Sequence, residues 1–264
     1  MAKQEKFLKL GFVGCGRATE VLHLPALRQV PEAKVMALAD VNPDQLKKVA
    51  DEFQIEQRYA DYQALLDDPA LDVVAVCVPP QFHVEIALAV LEAGKHLFVE
   101  KPLALRLDEC DRLIQKAKTA NKKIMVGFNL RHHRLLQDAQ RIIRQGDLGA
   151  IEAIRSTWTS AIRHHRTIPA WRNQCEQGGG ALFEIAVHHF DLWRYLLQGE
   201  VEEVYAFSRA EKWPDETVTV MARMRNGVVI SSLFSERTSD NNEIEIFGQQ
   251  GRLRLSLYRF DGVE

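Results

Sequence analysis

The 264-residue chain lacks the features of several protein classes. Its net charge of −2 gives no electrostatic reason to expect a nucleic acid or a membrane surface as partner. No apolar run is long enough to span a bilayer, and no apolar signal core follows the first six residues. The four cysteines show no paired spacing, which predicts neither a disulfide framework nor a metal site. We therefore expect free thiols in a reducing compartment, the cytoplasm.

The first half of the chain alternates strand and helix patterns, which predicts an α/β domain with a doubly wound parallel sheet. The apolar run Val73–Val78 is typical of a central strand buried on both faces. The expected strands are 8–13, 34–39, 73–78, 96–99 and 124–127, and the expected helices are 18–29, 43–53, 82–93 and 106–120.

The second half is dominated by strand patterns. Asn226-Gly227 lies between two alternating runs and is a strong hairpin signal. The expected strands are 151–160, 202–209, 216–225, 228–236, 243–247 and 252–257, with helices near 132–145 and 181–197. We predict an α+β domain with a largely antiparallel, open sheet, and we place the two domains at 1–127 and 128–264.

The first strand pattern ends in Gly14-Cys15-Gly16-Arg17 and leads into a helical pattern. A strand, tight turn and helix in this order can bind phosphate, because free backbone N–H groups and the helix dipole face the turn. Gly14 and Gly16 match the first two glycines of the dinucleotide fingerprint, whereas Thr19 replaces the third. A plain tight turn is the alternative interpretation.

Asp40 follows the second strand pattern and lies 24 residues after Gly16. An acidic residue near this spacing binds the hydroxyl groups of the adenosine ribose in dinucleotide-binding proteins. Asp40 could instead cap the next helix, but Asn42 followed by Pro43 already suits that position. We therefore interpret Asp40 as a ribose ligand.

Pro79 and Glu100 also follow predicted strands, and ligands of parallel sheets bind at the carboxyl ends of strands. Lys101 comes directly after Glu100, where it could bind a substrate oxygen or transfer a proton. An ordinary lysine holds its proton too firmly to act as a base at neutral pH, so proton transfer would require desolvation or a neighbouring cation. The alternative is a solvated loop lysine.

Glu184, His188 and Asp191 are spaced to share one face of the predicted helix 181–197. An acidic residue beside a histidine can orient the ring and raise its basicity. The spacing is also compatible with a metal site, but no convincing third ligand is present. A polar helix face that is merely hydrated is an equally good interpretation. His189 points about a third of a turn away from His188, so the two histidines should differ in role.

A basic cluster, Arg163-His164-His165-Arg166, precedes Trp171-Arg172. It could receive a polar or anionic substrate. Short charged stretches are more often solvated loops, and we interpret this one as such.

Taken together, the motifs resemble the Gfo/Idh/MocA family of nicotinamide-dependent oxidoreductases, over nearly the whole chain and in the same order. The match includes the glycine turn, the Glu-Lys-Pro sequence after a strand and the His-x-x-Asp sequence on the later helix. The matching segments are Gly14–Gly16, His23–Leu27, Ala39–Pro43, Val78–His83, Ala93–Leu103, Val126–Asn129 with Arg131, Trp171-Arg172 and Gly178–Asp191.

The resemblance implies an N-terminal Rossmann domain and a C-terminal domain that binds substrate and mediates oligomerisation. It implies reversible hydride transfer between a nicotinamide cofactor and the CH–OH group of a sugar or polyol. We expect NAD in preference to NADP, because Asp40 would repel a 2′-phosphate and Val41-Asn42-Pro43 offers no cation for one. The implied catalytic residues are Lys101, His188 and Glu184, and Pro102 matches a proline that is often cis. The implied cofactor-binding residues are Gly14, Cys15, Gly16, Arg17, Asp40, Pro79, His83, Glu100 and Lys101.

Two departures from the family pattern leave an alternative open. Glu184 replaces an aspartate that is common in the family, and the chain ends earlier than most members, so we expect a C-terminally shortened form or a fragment. The alternative is an inactive nucleotide-binding regulator or scaffold of the same fold. We also predict a homodimer or higher oligomer formed through the second sheet, because only one long helix, 181–197, is expected to cover it. The apolar residues that we expect to be available to one face of this sheet or the other are Val218, Val220, Val228, Ile230, Ile244 and Ile246.

Overall fold

The computed structural model of the chain describes residues 7–165 and 167–257. By their internal contacts, the residues divide into two compact units, Met1–Gly127 and Phe128–Glu264. Each unit has its own six-stranded sheet and hydrophobic core. No helix in the described part of the chain is both long and apolar enough to cross a membrane.

The sheet of the first unit is entirely parallel, with the strand order β3-β2-β1-β4-β5-β6. Its strands are β1 (Leu8–Val13), β2 (Ala33–Ala39), β3 (Gln57–Tyr59), β4 (Val73–Val76), β5 (His96–Val99) and β6 (Ile124–Val126). The order reverses direction between β1 and β4, which is the switch point where doubly wound sheets bind ligands. The predicted doubly wound α/β fold is confirmed.

The helices of this unit connect the parallel strands. A π-helical turn, Thr19–His23, leads into α1. The helices are α1 (Leu24–Leu27), α2 (Pro43–Phe53), α3 (Tyr62–Leu66), α4 (His83–Glu92) and α5 (Leu107–Thr119). The elements β3 and α3 were not predicted, because three and five residues are too few to establish a periodic pattern.

The second unit has the strand order β12-β11-β7-β10-β9-β8. All neighbours are antiparallel except β7 and β10, which run parallel. The strands are β7 (Ile151–Thr159), β8 (Val201–Arg209), β9 (Thr217–Met224), β10 (Val229–Ser235), β11 (Asn241–Gly248) and β12 (Arg252–Ser256). The helices are α6 (Arg134–Gln145), α7 (Ile162–His165) and α8 (Val187–Leu197), and a π-helical turn at Leu182–Ala186 precedes α8.

One face of this sheet is covered by two helices rather than by the single helix that we predicted. Leu135 and Leu136 of α6 and Leu192 of α8 are buried in the same core as the inner face of the sheet. The apolar residues that we expected to be available to either face all belong to this buried face: Val218, Val220, Val228, Ile230, Ile244 and Ile246. The other face carries the exposed Tyr205, Phe207 and Met221.

Candidate active site

The glycine turn after β1 has one glycine that the fold requires and one that it does not. Gly14 has a φ of +95°, and a Cβ atom there would lie 2.4 Å from the backbone oxygen of Cys77. A Cβ atom on Gly16 would meet nothing within 4 Å. Gly14 therefore lets β1 approach the segment after β4, whereas the backbone at Gly16 is left open to a ligand, which is the role of the second fingerprint glycine.

Thr19 replaces the third glycine without loss of packing. Its side chain is fully buried, and its hydroxyl group donates a hydrogen bond of 2.6 Å to the backbone oxygen of Gly14. The hydroxyl group thus provides a hydrogen-bond donor for a carbonyl of the turn. The departure from the fingerprint at this position is compatible with the phosphate-binding turn.

Asp40 reaches back from the end of β2 to the glycine turn. One carboxylate oxygen accepts a hydrogen bond of 2.6 Å from the backbone N–H of Cys15, and the other accepts one of 2.8 Å from that of Asn42. Asn42 caps α2 by accepting from the N–H groups of Asp44 and Gln45, as its sequence position indicates. Asp40 is therefore not the helix cap, and its carboxylate lies beside the glycine turn.

A cleft of about 470 Å³ lies at the carboxyl ends of β1, β2 and β4. Its lining combines the glycine turn, the Asp40 carboxylate and apolar side chains, with Val13, Gly14, Gly16, Ala39, Asp40, Val41, Ala60, Tyr62, Cys77, Val78, Pro79, Phe82, Glu85 and Ile86 contributing. These residues fit a dinucleotide: the turn leaves an open approach to phosphates at Gly16, and Asp40 offers acceptors to ribose hydroxyls. Val41, which follows Asp40, is 90% exposed and brings no cation to this edge.

Cys15 and Arg17 belong to the same turn but differ in environment. The thiol of Cys15 is buried, and burial together with the Asp40 charge raises its pKa to about 12. Cys15 therefore contributes no reactive thiolate, and its backbone N–H is donated to the Asp40 carboxylate. Arg17 lies at the start of the following helical segment and is exposed, so its side chain is available to an anionic ligand.

Glu100 fixes the segment that carries Lys101. One oxygen of Glu100 lies 2.7 Å from Nε2 of His23, and the other accepts a hydrogen bond of 3.2 Å from the backbone N–H of Lys101. Burial opposes ionisation of Glu100, but the bond to His23 and the nearby charges of His23 and Lys101 together lower its pKa. Lys101 is half-buried, and the Lys101–Pro102 peptide bond is cis, as the resemblance implies.

His83 is buried and joins two loops rather than lining the cleft. Its Nδ1 lies 2.7 Å from the backbone oxygen of Pro102, and its Nε2 lies 2.9 Å from that of Val78. Burial lowers the pKa of this imidazole despite the two carbonyl groups. Its contacts therefore suit a residue that positions the Lys101–Pro102 segment against the end of β4.

In the second unit, the adjacent residues His188 and His189 have different surroundings. The ring of His188 lies 5.3 Å from that of Trp158 and 6.3 Å from that of Phe128. His189 is fully buried, lies 3.1 Å from the amide oxygen of Asn242, and has a pKa that burial lowers to about 4. A neutral, buried His189 serves the core, which leaves His188 as the candidate for chemistry.

Asp191 forms a salt bridge with Arg131. Its two carboxylate oxygens accept hydrogen bonds from Nε and Nη2 of Arg131, with a distance of 2.7 Å for the first. The hydrogen bond to Asp191 raises the pKa of Arg131 still further. This bidentate pair joins α8 to the segment before α6, so Asp191 holds two helical segments together.

Glu184 lies in the π-helical turn before α8 and is held by two arginines. Its Oε1 lies 2.9 Å from Nη2 of Arg163, and its Oε2 lies 3.1 Å from Nη1 of Arg172. The interpretation of the basic cluster as a solvated loop is therefore wrong for Arg163, whose side chain is only 3% exposed. Arg166 lies outside the described residues.

The glycine run before Glu184 allows this arrangement. A Cβ atom on Gly179 would lie 2.3 Å from the backbone oxygen of Arg172, and Gly178 and Gly180 have φ angles of +90° and +99°. The run therefore lets the loop before the π turn pack directly against the segment that carries Arg172. Within the described residues, no group of three or more histidine, cysteine or acidic side chains is arranged to hold a metal ion.

Comparison with known proteins identifies two matching domains. Residues 8–128 match the oxidoreductase family with an NAD-binding Rossmann fold, and residues 136–254 match the GFO/IDH/MocA C-terminal domain. The chain is 29% identical to the myo-inositol 2-dehydrogenase of Thermotoga maritima, covering 93% of this chain and 74% of that protein. It is 30% identical to the levoglucosan dehydrogenase of Pseudarthrobacter phenanthrenivorans, covering 96% and 73%. A solved structure of levoglucosan dehydrogenase with NADH and levoglucosan superimposes with a TM-score of 0.89 at 30% identity, covering 97% of this chain and 75% of that one.

Proposed function

The chain belongs to the GFO/IDH/MocA family of NAD-dependent oxidoreductases, and on that basis we propose that it oxidises a secondary hydroxyl group of a sugar or polyol. The observation that carries the proposal is the cleft at the switch point of the first sheet, which presents the Gly14–Gly16 turn and the Asp40 carboxylate. The related myo-inositol and levoglucosan dehydrogenases support a carbohydrate-like substrate.

We propose that Gly14, Cys15, Gly16 and Arg17 hold the cofactor diphosphate and that Asp40 holds its adenosine ribose. Asp40 would accept hydrogen bonds from both ribose hydroxyls and repel a phosphate at the 2′ position, which favours NAD over NADP. When bound, NAD accepts the hydride that leaves the substrate carbon. The protein supplies binding, orientation and control of the hydroxyl proton.

Lys101 and His188 are the residues that we propose to handle that proton. Lys101 has the supports expected of a catalytic group, since Glu100 holds its backbone and His83 holds the following proline. The ring of His188 packs against that of Trp158 at an interplanar angle of 37°, and this contact restricts its orientation. Glu184 contributes an anchored carboxylate to the same chemistry rather than acting as the only base.

The test is turnover by the purified chain. We expect NAD⁺ with myo-inositol or levoglucosan to give an increase in the NADH absorbance band, and NADP⁺ to give a slower one. NADH that binds, as seen by fluorescence, without turnover of either sugar would instead favour a nucleotide-binding regulator. Lack of NADH binding would refute the assignment of the cleft.

We further propose that the chain forms a homodimer through the exposed face of its second sheet. Tyr205 and Met221 are directly opposite each other on β8 and β9, and Phe207 on the same strand is 79% exposed. Broad exposed apolar faces mark interaction surfaces, and a two-fold axis would bury two copies at once. Light scattering should report a dimer at micromolar concentration and a monomer for Phe207→Glu, and a monomeric wild-type protein would contradict the proposal.

The compartment that we propose is the cytoplasm. The four cysteines are free thiols, which suits a reducing environment. Titration with a thiol reagent in denaturant should count four reactive groups per freshly purified chain.

A further inference from the structure

The buried guanidinium group of Arg163 in the second unit donates hydrogen bonds to four acceptors. It donates to Oε2 of Glu236 through Nε, to Oδ1 of Asn173 at 2.7 Å through Nη1, and to Glu184 through Nη2. Nη2 also lies 3.0 Å from the backbone oxygen of Arg172. A planar guanidinium group can satisfy several acceptors in fixed directions, which a lysine ammonium group cannot do.

The chain topology explains why Arg163 and Glu236 meet. Arg163 lies in α7 just beyond the end of β7, and Glu236 directly follows β10. These two strands are parallel neighbours with Thr159 opposite Ser235, so their carboxyl ends emerge side by side. The parallel pairing of β7 with β10 therefore brings Arg163 and Glu236 together, and the ion pair with Glu236 fixes the position of Arg163.

Glu184 is the second carboxylate that Arg163 binds, in addition to Glu236. Arg163 binds one of its oxygens and Arg172 binds the other, while Glu236 balances the second positive charge. The four side chains therefore form a neutral set of two arginines and two glutamates. All of them are well buried except Arg172, whose side chain is 34% exposed. Removing one member would leave a buried charge without its partner, which is costly.

We propose that Arg163 is a positioning residue that holds the Glu184 carboxylate in place for the reaction. The proposal rests on the function assigned above, in which Glu184 belongs to the active site. Arg163 takes its own position from β10 through Glu236, and it transmits that position to Glu184. The Glu184 side chain contacts both Arg163 and Arg172.

The experiment is a double-mutant cycle with Arg163→Lys, Glu184→Gln and the double variant. The matched control is Arg237→Lys. Arg237 pairs with Glu216 and Glu211 and stacks on Trp213, the same ring that Arg163 contacts. Urea unfolding followed by tryptophan fluorescence gives the first readout, which does not depend on activity. We expect the midpoint shifts of the two single variants to be clearly non-additive in the double variant.

Turnover of NAD⁺ with myo-inositol or levoglucosan gives the second readout. We expect Arg163→Lys to lower kcat on the order of 10²-fold, since small misplacements of catalytic groups have effects of that size. The KM for NAD⁺ should stay unchanged, and Arg237→Lys should retain a near wild-type kcat. This split separates positioning of Glu184 from a general loss of folding.

Each outcome decides the proposal. Additive midpoint shifts overturn it whatever the activity, because Arg163 would then not hold Glu184. Coupled shifts with an unchanged kcat in Arg163→Lys also overturn it, because the contact would be structural only. If the wild-type protein oxidises neither sugar, the proposed function fails, and coupled midpoint shifts still support Arg163 as the residue that holds Glu184.

Discussion

Acidification should destabilise the second unit through the buried His189. The ring lies against Trp158 and Phe234, with centroid distances of 5.7 Å and 5.5 Å, and its Nε2–H group donates to the amide oxygen of Asn242. Its Nδ1 is buried and has no hydrogen-bond partner among residues 7–165 and 167–257. Protonation at Nδ1 would therefore place a charged donor in apolar surroundings, and this burial lowers the pKa of His189 to about 4 although the bond to Asn242 opposes the shift.

The sign and size of the effect follow from proton linkage. Below the ordinary pKa of about 6.5, the unfolded chain binds a proton at His189 that the folded chain excludes. The stabilisation from a neutral His189 is thus complete above about pH 6.5 and is lost as the pH falls toward 4. A pKa difference of roughly 2.5 units, at 1.36 kcal/mol per unit, lowers the free energy of unfolding by about 3 kcal/mol between pH 7 and pH 4. This is a large part of the 5–15 kcal/mol that stabilises a typical domain.

Urea unfolding at a series of pH values, monitored by tryptophan fluorescence, measures the free energy of unfolding of the second unit. All four tryptophans, Trp158, Trp171, Trp193 and Trp213, lie in the second unit. The control is His189→Gln, which keeps a donor for Asn242 but does not titrate, so carboxylates and other histidines cancel in the comparison. The wild-type unfolding free energy should fall by about 3 kcal/mol more than that of the variant. Parallel curves for the two proteins would refute the reasoning.

The glycine turn, Asp40 and the proposed catalytic residues Lys101 and His188 give three further predictions. Gly14→Ala should lower the thermal midpoint, because its Cβ atom would collide with the backbone, whereas Gly16→Ala should keep the midpoint and weaken NADH binding; equal effects in both assays would contradict the separate roles. Asp40→Ala should weaken NADH binding roughly 10- to 100-fold, as for lost hydrogen bonds to a charged group, and reduce the preference over NADPH in fluorescence titrations; an unchanged preference would exclude Asp40 as the discriminator. Lys101→Ala and His188→Ala should each lower kcat by roughly 10²–10⁴-fold while NADH still binds, and near wild-type rates in both would remove them from the chemistry.

Local sequence signals predicted the first unit well because its determinants are close together in the chain. Asn42 followed by Pro43 specifies where α2 begins, and the structure places the cap there. That assignment left Asp40 for another role, and its carboxylate does lie at the glycine turn. Apolar runs and alternation also located all the long strands of both sheets, since these patterns lie within each strand.

Which face of the second sheet is buried could not be decided in the same way. Alternation places Val218 and Val220 on one face of β9 and Met221 on the other, but it does not say which face the helices cover. That choice depends on α6 and α8 packing on the same side, and no single segment records it. The apolar residues that we expected to be available for association are core residues, and the exposed set is Tyr205, Phe207 and Met221.

The environment of Arg163, like the buried face of the sheet, depends on distant segments and could not be predicted from its own segment. Within its own segment, two arginines and two histidines in a row are typical of a solvated loop, and nothing nearby in the sequence offers a carboxylate partner. Its partners, Glu184 and Glu236, are 21 and 73 residues away and reach it through the glycine run and the parallel pairing of β7 with β10. The position of Glu236 could have indicated its role, because it is an acidic residue directly after a predicted strand. In the structure the Glu236 side chain is only 2% exposed. A buried carboxylate that stays charged is usually paired with a cation, and the pairing of β7 with β10 brings the residues after β7 within reach of Glu236.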